Sequence, residues 1–379
     1  MISASQKIFF WRVLSAVAFP LILALAACGS SSGPNPPCTN CTPTSSDFVY
    51  EPNANQVSIF EVDSTSGTVT ATPMPATGPA IPGGIIATST NFIYVSDQNG
   101  TDDDVYGYSL NTSTGVLTPV AGSPFTAGLT APTQGLATDP AGKFLYVTQA
   151  NNNQIAAFTI ASNGALTPVS GSPYNTQDSY PIAAVVDSTG SFLYVSNNQS
   201  TQGTISIFSI NSSSGALTAV GSPLPTLQPE PANLAVDPKG NYLYVPASGT
   251  NLVLGYSYGS TGTLTVIPGS PFSVGAQPNT VLVDPSGKFL FSADFAGNDI
   301  SAFTLGSNGT LTPVSGSPFS ASNNPISLAV NASSSLLFAT AATSTSILAF
   351  TINSSGALTS IAPLNGGGTS GGLAVVHAQ

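Results

Sequence analysis

The sequence predicts an all-β protein, a seven-bladed β-propeller of four-stranded antiparallel blades that the C-terminal strand closes into a ring. Three observations predict this fold. A unit of about 48 residues recurs from residue 47 to the end of the chain. Each unit contains short segments rich in β-branched and aromatic residues, in which apolar and polar residues alternate as they do in strands. Gly, Pro and Asn bound these segments. The segment that the first unit lacks at its start stands at the end of the chain.

The clearest copy of the unit runs from Asp139 to Tyr174 and reads DPAGKFLYVTQANNNQIAAFTIASNGALTPVSGSPY. It contains a Pro-Gly turn, an aromatic strand, a polar loop, an alternating strand, an Asn-Gly turn and a short last strand. A small sheet of this kind cannot bury its apolar faces alone, so it needs copies of itself as neighbours. No segment after Ser46 has the spacing of a helix.

Three positions recur in all seven units. One strand carries an aromatic residue, the next carries another at its centre, and a Gly-x-Leu/Val-Thr turn follows. The first set is Tyr50, Tyr94, Tyr146, Tyr194, Tyr244, Phe291 and Phe338. The second set is Phe60, Tyr108, Phe158, Phe208, Tyr256, Phe303 and Phe350. The turn glycines are Gly67, Gly115, Gly164, Gly215, Gly262, Gly309 and Gly356. For Phe60, Phe158, Phe208 and Phe303 of the second set, we predict packing between blades, not a stacking platform for a ligand.

The closing strand is predicted from what the first unit lacks. Every later unit begins with an apolar strand such as the one at 233–237, and the first does not. Residues 372–376 form a further apolar strand with nothing after it, so we predict that it pairs beside Phe48 to Tyr50 and completes the first blade. Closure removes the free sheet edges that an open array exposes. The alternative, an open β-solenoid, does not need a blade shared between the two ends.

Residues 1–27 are predicted to be an export signal. Lys7 and Arg12 precede an apolar run at 13–24, which is too short for a stable spanning helix. Leu-Ala-Ala-Cys28 resembles the lipobox of bacterial lipoproteins, and this resemblance implies cleavage before Cys28 and lipidation of that cysteine. The alternative is an ordinary secretory signal with a chance cysteine. Several acyl chains give lasting attachment, so we expect a lipid-anchored protein of the cell envelope, at the outer membrane or facing the periplasm.

Residues 28–46 are predicted to be a Ser/Pro/Thr-rich tether, and residues 47–379 a single propeller domain. Cys38 and Cys41 form a lone C-x-x-C in the tether. A metal site needs a second such pair or nearby histidines. We therefore expect a local disulfide or free thiols.

The turn and strand motifs are similar to those of a known family. Asp139-Pro-Ala-Gly-Lys-Phe-Leu-Tyr-Val147 and Asp284-Pro-Ser-Gly-Lys-Phe-Leu-Phe291, each followed by a loop and an Ile-x-Ala-Phe-Thr strand, resemble the lactonase-type propellers. These include bacterial 6-phosphogluconolactonase and the Tyr-Val-Thr-Asn (YVTN) repeat proteins. The similarity covers almost all of residues 48–376. It implies the propeller fold directly and hydrolysis of lactones by analogy, because the motifs are structural turns and strands.

The cationic residues limit that activity. A sugar-phosphate lactonase needs cations to hold the phosphate and an acid or base near the lactone carbonyl. After Arg12 the chain has no arginine, its only lysines are Lys143, Lys239 and Lys288, and its only histidine is His377. We therefore predict a binding or scaffold module. The alternative is a lactone hydrolase, either 6-phosphogluconolactonase-like or acting on a neutral lactone with or without a metal.

Acidic residues are predicted to gather on one face. In a propeller, the loops between blades and the loops between the second and third strands share a face. Nine acids fall in or beside these loops: Glu51, Asp97, Asp102, Asp103, Asp104, Asp178, Glu230, Asp294 and Asp299. The other face receives Asp63, Asp139, Asp187, Asp237, Asp284 and all three lysines. An acidic loop face repels anions, although acidic loops also serve solubility alone. Sixteen acids against three lysines give the exported chain a net charge of about −13, which excludes nucleic acid as a partner.

Three sets of residues are candidates for a site. The residue three beyond the first aromatic is polar in five blades, and this ring could line the channel mouth and bind a neutral polar ligand: Asn53, Asp97, Gln149, Asn197 and Asp294. Its alternative is local turn capping. A second set offers oxygen ligands for calcium, against the alternative of a solvated acidic loop: Asp97, Asn99, Asp102 and Asp104. The third is Glu230, beside Pro231, a candidate general base for which the sequence shows no acid partner.

The expected partners follow from these candidates. We predict a monomer held at the membrane by its lipid anchor, with a neutral polar small molecule, a carbohydrate or a protein as ligand. No cofactor is required, and calcium is the one cofactor that the sequence offers.

Overall fold

The computed structural model describes residues 46–71, 76–99, 104–126, 129, 133–240, 242–321, 323–365 and 372–379. The predicted export signal, Cys28, Cys38, Cys41 and the tether up to residue 45 lie outside the described residues. Ser46, predicted as the last tether residue, opens the first strand. Within the described residues, no helix is long and apolar enough to cross a membrane.

The strands form seven antiparallel sheets, which confirms the seven-bladed propeller. In blades 1 to 7 the first strands are Ala374–His377, Pro82–Ala87, Thr133–Thr138, Pro181–Val186, Ala235–Val236, Pro278–Val283 and Pro325–Val330. The second strands are Ser46–Asn53, Phe92–Asp97, Phe144–Gln149, Phe192–Asn197, Tyr242–Ala247, Phe289–Asp294 and Leu336–Ala341. The third strands are Gln56–Asp63, Val105–Leu110, Gln154–Ile160, Thr204–Ile210, Leu252–Tyr258, Asp299–Leu305 and Ser346–Ile352.

The fourth strands are short in most blades. They are Val69–Ala71, Leu117–Pro119, Leu166–Pro168, Leu217–Ala219, Leu264–Val266, Leu311–Pro313 and Leu358–Asn365. A further two-residue strand pairs with the third strand in five blades: Ala76–Thr77, Tyr174–Asn175, Leu224–Pro225, Phe272–Ser273 and Phe319–Ser320. A single 3₁₀ turn, Ala150–Asn152, is the one helical element of the described chain.

The first strands line the axis of the ring, because those of neighbouring blades contact one another all the way round. The C-terminal strand is part of that circle and pairs antiparallel with the second strand of blade 1, with Tyr50 opposite Ala374 and Phe48 opposite Val376. The predicted closure of the ring is therefore confirmed. The first blade is built from both ends of the described chain.

Tyrosine hydroxyls join consecutive blades. Tyr146 is fully buried in the second strand of blade 3, and its hydroxyl donates to the carbonyl of Gly215 in blade 4 at 3.1 Å. The same bond recurs in the pairs Tyr50–Gly115, Tyr94–Gly164, Tyr194–Gly262 and Tyr244–Gly309. Burial raises the pKa of these five tyrosines. Each therefore remains a neutral hydrogen-bond donor at physiological pH.

The apolar core lies between the blades. Phe158 of blade 3 packs with Phe92 and Tyr94 of blade 2 in one buried cluster. Phe60, Phe208 and Phe303 pack against the preceding blade in the same way. The prediction that these phenylalanines pack between blades is confirmed.

The repeated turn glycine is required for two reasons. Gly164 has a φ of +83°, a left-handed conformation that only glycine adopts at little cost. A Cβ at this position would also lie 2.5 Å from ring carbons of Phe92 in the preceding blade. Any larger residue would push the two blades apart, which explains why this glycine stands in every unit.

Candidate binding and active site on the loop face

The strand order separates two faces of the propeller. Since neighbouring strands are antiparallel, the loops between second and third strands and the loops between blades lie at the same end of every sheet. We call this end the loop face, and the opposite end the turn face. Lys143, Lys239 and Lys288 lie in turns between first and second strands, and His377 ends a first strand at the same end. Within the described residues, no lysine, arginine or histidine lies on the loop face.

Aspartates of the turn face cap their own turns. Oδ1 of Asp139 accepts the backbone N–H groups of Lys143 and Phe144, each at 2.7 Å. Asp187 and Asp284 make the equivalent bonds in blades 4 and 6. Burial opposes the ionisation of Asp284, but hydrogen bonds from Ser286, Ser334 and the turn backbone leave its pKa below the ordinary value. These aspartates stabilise the turns between first and second strands.

The predicted polar ring is buried behind the loops between blades. Each of its members ends a second strand, and their exposed fractions are 7% for Asn53, 2% for Asp97 and 0% for Gln149, Asn197 and Asp294. Ligand binding by this ring stays a prediction. The side chains of Asn53, Asp97, Asn197 and Asp294 make local bonds, as the turn-capping alternative predicts.

Asp97 and Asn197 illustrate those bonds. The carboxylate of Asp97 accepts the N–H groups of Ala80 at 3.2 Å and Ile81 at 3.1 Å in the loop that leads into blade 2. Nδ2 of Asn197 donates to the hydroxyls of Thr204 and Ser206 at 2.9 and 2.8 Å. In both cases, the side chain holds a loop or a neighbouring strand in place.

Solvent reaches only some of the acids predicted for the loop face. Glu51, Asp97, Asp104 and Asp294 are buried, whereas Asp178, Glu230 and Asp299 are partly exposed. Asp102 and Asp103 lie outside the described residues. The charge that an approaching ligand meets on the described part of this face is therefore smaller than the sequence count predicts.

The predicted calcium ligands are described only in part. Asp102 is outside the described residues, and Oδ1 of Asp97 already accepts the N–H groups of Ile81 and Asn99, both at 3.1 Å. Among the residues that the structure describes, no three or more His, Cys, Asp or Glu side chains lie close enough together to hold a metal ion. Calcium binding stays a prediction.

Two carboxyl groups stand close together in blade 6. Asp294 and Asp299 lie opposite each other on paired strands. Burial and the neighbouring Asp299 charge raise the pKa of Asp294 to about 6, against opposing hydrogen bonds from Ser292 and Ser301. A Cβ added at Gly275 would lie 2.6 Å from Oδ2 of Asp294, so the loop into blade 6 closes directly over the pair. Oδ2 of Asp294 accepts the N–H of Gly275 at 3.1 Å, so buried Asp294 holds this loop in place.

Four residues mark the points where loops between blades turn into first strands. Each precedes the proline at the start of that strand or at its equivalent position: Tyr180, Glu230, Gln277 and Asn324, in blades 4 to 7. Because first strands line the axis, these residues lie along one side of its end on the loop face, in four consecutive blades. We call them the rim. Their φ angles are 64°, 54°, 55° and 58°, all left-handed. Tyr180 is 43% exposed, the Gln277 side chain is also exposed, and the other two are partly exposed.

Backbone hydrogen bonds fix every rim residue in this conformation. The N–H groups of three of them donate at 2.9 Å to Oδ1 of an asparagine in the preceding blade, in the pairs Tyr180–Asn153, Gln277–Asn251 and Asn324–Asn298. The N–H of Glu230 donates to the carbonyl of Gln199 at 2.9 Å. Each rim carbonyl accepts an N–H from a loop of its own blade, in the pairs Tyr180–Asn198, Glu230–Ser248, Gln277–Phe295 and Asn324–Ala342. The rim backbone is therefore held without its side chains.

Gln199 connects two acids of the loop face. Its side-chain amide donates to Oδ1 of Asp178, and its carbonyl accepts the N–H of Glu230. Asp178 also accepts the hydroxyl of Thr204 through Oδ2 at 2.6 Å. Asp178, predicted only as an acid of this face, is thus linked through Gln199 to the backbone of Glu230, the candidate base. The other candidates Asp97 and Asp294 lie in blades 2 and 6.

Comparison with known families agrees with this architecture. Residues 130–230 and 226–317 match the family described as "Lactonase, 7-bladed beta-propeller". The chain belongs to this lactonase family. The predicted resemblance to lactonase-type propellers is confirmed. No curated protein matches the sequence.

Solved structures share the fold of this lactonase-family propeller at low identity. A periplasmic gluconolactonase of Pseudomonas aeruginosa superposes with a TM-score of 0.76 at 16% identity, over 88% of this chain and 99% of that one. A candidate 6-phosphogluconolactonase of Bacteroides fragilis gives a TM-score of 0.69 at 19% identity, over 89% and 99%. A protein of Lactobacillus plantarum gives 0.72 at 14% identity, over 88% and 99%.

Three of the four rim residues were not predicted from the sequence. Tyr180, Gln277 and Asn324 lie in loops that differ in length and composition between the repeats, so alignment on strand aromatics did not single them out. A signal was present: each precedes a proline where a first strand begins. Glu230, the one rim residue that was predicted, also precedes a proline, Pro231.

Proposed function

We propose that this propeller is an exported hydrolase of uncharged sugar lactones, with Glu230 as its general base. One observation carries the proposal: Glu230 is the only carboxylate among the four rim residues, on a face where the described residues include no cation. Membership of the lactonase family supports hydrolysis over binding alone.

The reaction requires one base and one water molecule. The Glu230 carboxylate takes a proton from the water, whose oxygen then attacks the lactone carbonyl carbon. The tetrahedral intermediate collapses with cleavage of the ring C–O bond. The carboxylic acid of Glu230 returns its proton to the departing alkoxide oxygen. The product is the open-chain hydroxy acid, and the enzyme is restored.

The charge of the face favours a neutral substrate. A lactone without phosphate brings no charge to a face that carries Glu230 and Asp178, and its hydroxyl groups can donate to these carboxylates. The gluconolactonase of Pseudomonas aeruginosa, which has the same fold, is described as periplasmic. Together with the predicted export signal and lipobox, this supports a lipid-anchored enzyme that acts outside the cytoplasm.

The second candidate is a binding module without turnover. It is favoured by the absence, among the described residues of the loop face, of any lysine, arginine or histidine that could stabilise the tetrahedral oxyanion. It predicts the same ligands and the same rim, but no product.

The experiment is hydrolysis of glucono-1,5-lactone by purified residues 29–379, measured above the spontaneous rate with and without EDTA or added calcium. We expect turnover that Glu230→Gln reduces about 100-fold or more, as loss of a general base does. Glu61→Gln, the same change in blade 1 away from the rim, should leave the rate unaltered. Wild-type protein that binds lactone without hydrolysing it would favour the binding module, and calcium-dependent turnover would favour a metal-assisted reaction.

A further inference from the structure

We infer that Tyr180, Gln277 and Asn324 act with Glu230 as a recognition rim for the hydroxyl-bearing ring of a neutral sugar or sugar lactone. Of the residues involved, only Glu230 has a role in the proposed hydrolysis. The inference rests on the proposed function only for the choice of a lactone, because recognition of the ring does not require turnover.

The first argument is the backbone of the rim. A left-handed conformation is costly for any residue with a Cβ, and glycine removes that cost. The following proline restricts the backbone further. Among the described residues, glycine occupies 15 positions of positive φ, and nine non-glycine residues outside the rim also have positive φ, six of them asparagine. Asparagine tolerates this conformation better than other residues with a Cβ do, so Tyr180, Glu230 and Gln277 are the costly choices at the rim.

The second argument is that the fold does not use most of these side chains. Hydrogen bonds to backbone N–H and C=O groups hold the rim, and glycine could make all of them. The phenol of Tyr180 and the amide of Gln277 are exposed. Only Asn324 has a local bond, from Nδ2 to the carbonyl of Phe295 at 2.9 Å, and its Oδ1 remains an acceptor. Side chains kept at strained positions without a structural role point to a function.

The third argument is the chemistry of the set. An aromatic ring covers the apolar face of a sugar, while carboxamide and carboxylate groups exchange hydrogen bonds with its hydroxyls. The rim supplies one phenol, two carboxamides and one carboxylate along one side of the end of the axis. It supplies no cation to select a phosphate or a carboxylate ligand. A polyhydroxylated ring without charge is the ligand class that this set fits.

The fourth argument is rigidity. The asparagines that hold the rim, such as Asn153 and Asn251, are themselves left-handed turn residues of the preceding blade, with φ of 57° and 58°. Each rim residue is thus held by two blades of a closed ring. A rim fixed in this way loses little conformational entropy when a ligand binds.

The test replaces rim side chains by glycine, which removes the recognition group and relieves the backbone at once. The variants are Tyr180→Gly, Gln277→Gly and the double variant. The probe is 1,5-anhydroglucitol, a neutral sugar ring that cannot be hydrolysed, and its Kd is measured by calorimetry beside Tm by thermal unfolding. Asn91→Gly is the matched control, because Asn91 has a φ of 64° in an exposed turn on the opposite face.

We expect each rim variant to weaken binding at least tenfold while its Tm stays equal or rises, and Asn91→Gly to change Tm alone. Unchanged binding in the double variant would overturn the inference, as would failure of the wild-type protein to bind the probe. Probe binding that depends on the rim, in a protein that hydrolyses no lactone, would support the rim and sink the proposed hydrolase. Lactone hydrolysis that is unaltered in the double variant would support the proposed hydrolase and refute the recognition rim.

Discussion

Nδ1 of His377 lies 2.8 Å from Oδ1 of Asp47, and this contact joins the last strand of the chain to the first. The other oxygen of Asp47 accepts Nδ2 of Asn331, in blade 7, at 2.8 Å. Asp47 is fully buried. The three residues therefore fasten the closing strand, the N-terminal strand and the last blade at one point on the turn face.

Removal of residues 372–379 should destabilise the whole ring. The deletion takes away the first strand of blade 1, exposes the backbone edge at Phe48 to Tyr50, and leaves buried Asp47 without its imidazole partner. We expect a large fall in the denaturant midpoint, or aggregation through the free edge. His377→Ala alone should cost about 1 to 3 kcal/mol, the range for a buried acceptor that loses one hydrogen-bond partner. A truncated protein that unfolds at the same midpoint as the full chain would refute closure by this strand.

The bonds from tyrosine to glycine should contribute to stability one blade at a time. Tyr146→Phe keeps the ring and removes the donor to the carbonyl of Gly215, so we expect a loss of about 1 to 2 kcal/mol in the free energy of unfolding. Tyr174→Phe is the control, since the hydroxyl of Tyr174 makes an exposed bond to Ser170, and it should change stability by less than about 0.5 kcal/mol. Equal urea midpoints for the two variants would contradict this role.

The fold could be predicted from sequence because its determinants repeat. The glycine equivalent to Gly164 stands in every unit, because every interface between blades requires the same left-handed φ and the same close contact with a side chain of the preceding blade. The closing strand could also be predicted, because a missing strand at one end and a surplus strand at the other have one simple solution. The bond from Tyr146 to Gly215 was not predicted, although both residues were, since spacing along the chain does not show which blade a side chain reaches.

The site could be predicted only in part. A sequence shows that Asp97 and Asp294 are acidic, but it does not show that a loop covers them, so both were proposed as ligand-binding residues and both are buried. Tyr180 and Gln277 were missed for the opposite reason. Their significance depends on a backbone angle and on their position around an axis, neither of which leaves a pattern in residue types.

The raised pKa of Asp294 should make stability depend on pH. The pKa of Asp294 is raised to about 6, from about 4 in an unfolded chain, so the folded state binds more protons between these values. The free energy of unfolding contributed by this group therefore falls as pH rises from about 4 to about 6, by up to about 3 kcal/mol, and is constant above. Asp294→Asn mimics the protonated form and should remove this loss.

Urea midpoints of wild type and Asp294→Asn, taken from pH 4 to pH 7.5, measure this difference. The variant should gain stability relative to wild type as pH rises through the interval and keep that gain above it. Asp63→Asn is a control with the opposite sign, because turn hydrogen bonds from Ser66 lower the pKa of the exposed Asp63 carboxyl. Parallel curves for wild type and Asp294→Asn would show that the pKa of Asp294 is not raised in the folded state.

The final prediction concerns the charge of the substrate. A phosphate dianion brought to the loop face would meet Glu230 and Asp178 and find no cation among the described residues there, at a cost of about 1 kcal/mol for each close like-charged pair even in water. Glucono-1,5-lactone meets no such barrier. The neutral lactone should therefore be hydrolysed with a kcat/KM at least about tenfold higher than that of 6-phosphogluconolactone. Replacing Lys143, Lys239 and Lys288 by Gln should alter neither value, because all three lie on the turn face. Efficient hydrolysis of the phosphorylated lactone that disappears with those lysines would place the active site on the turn face instead.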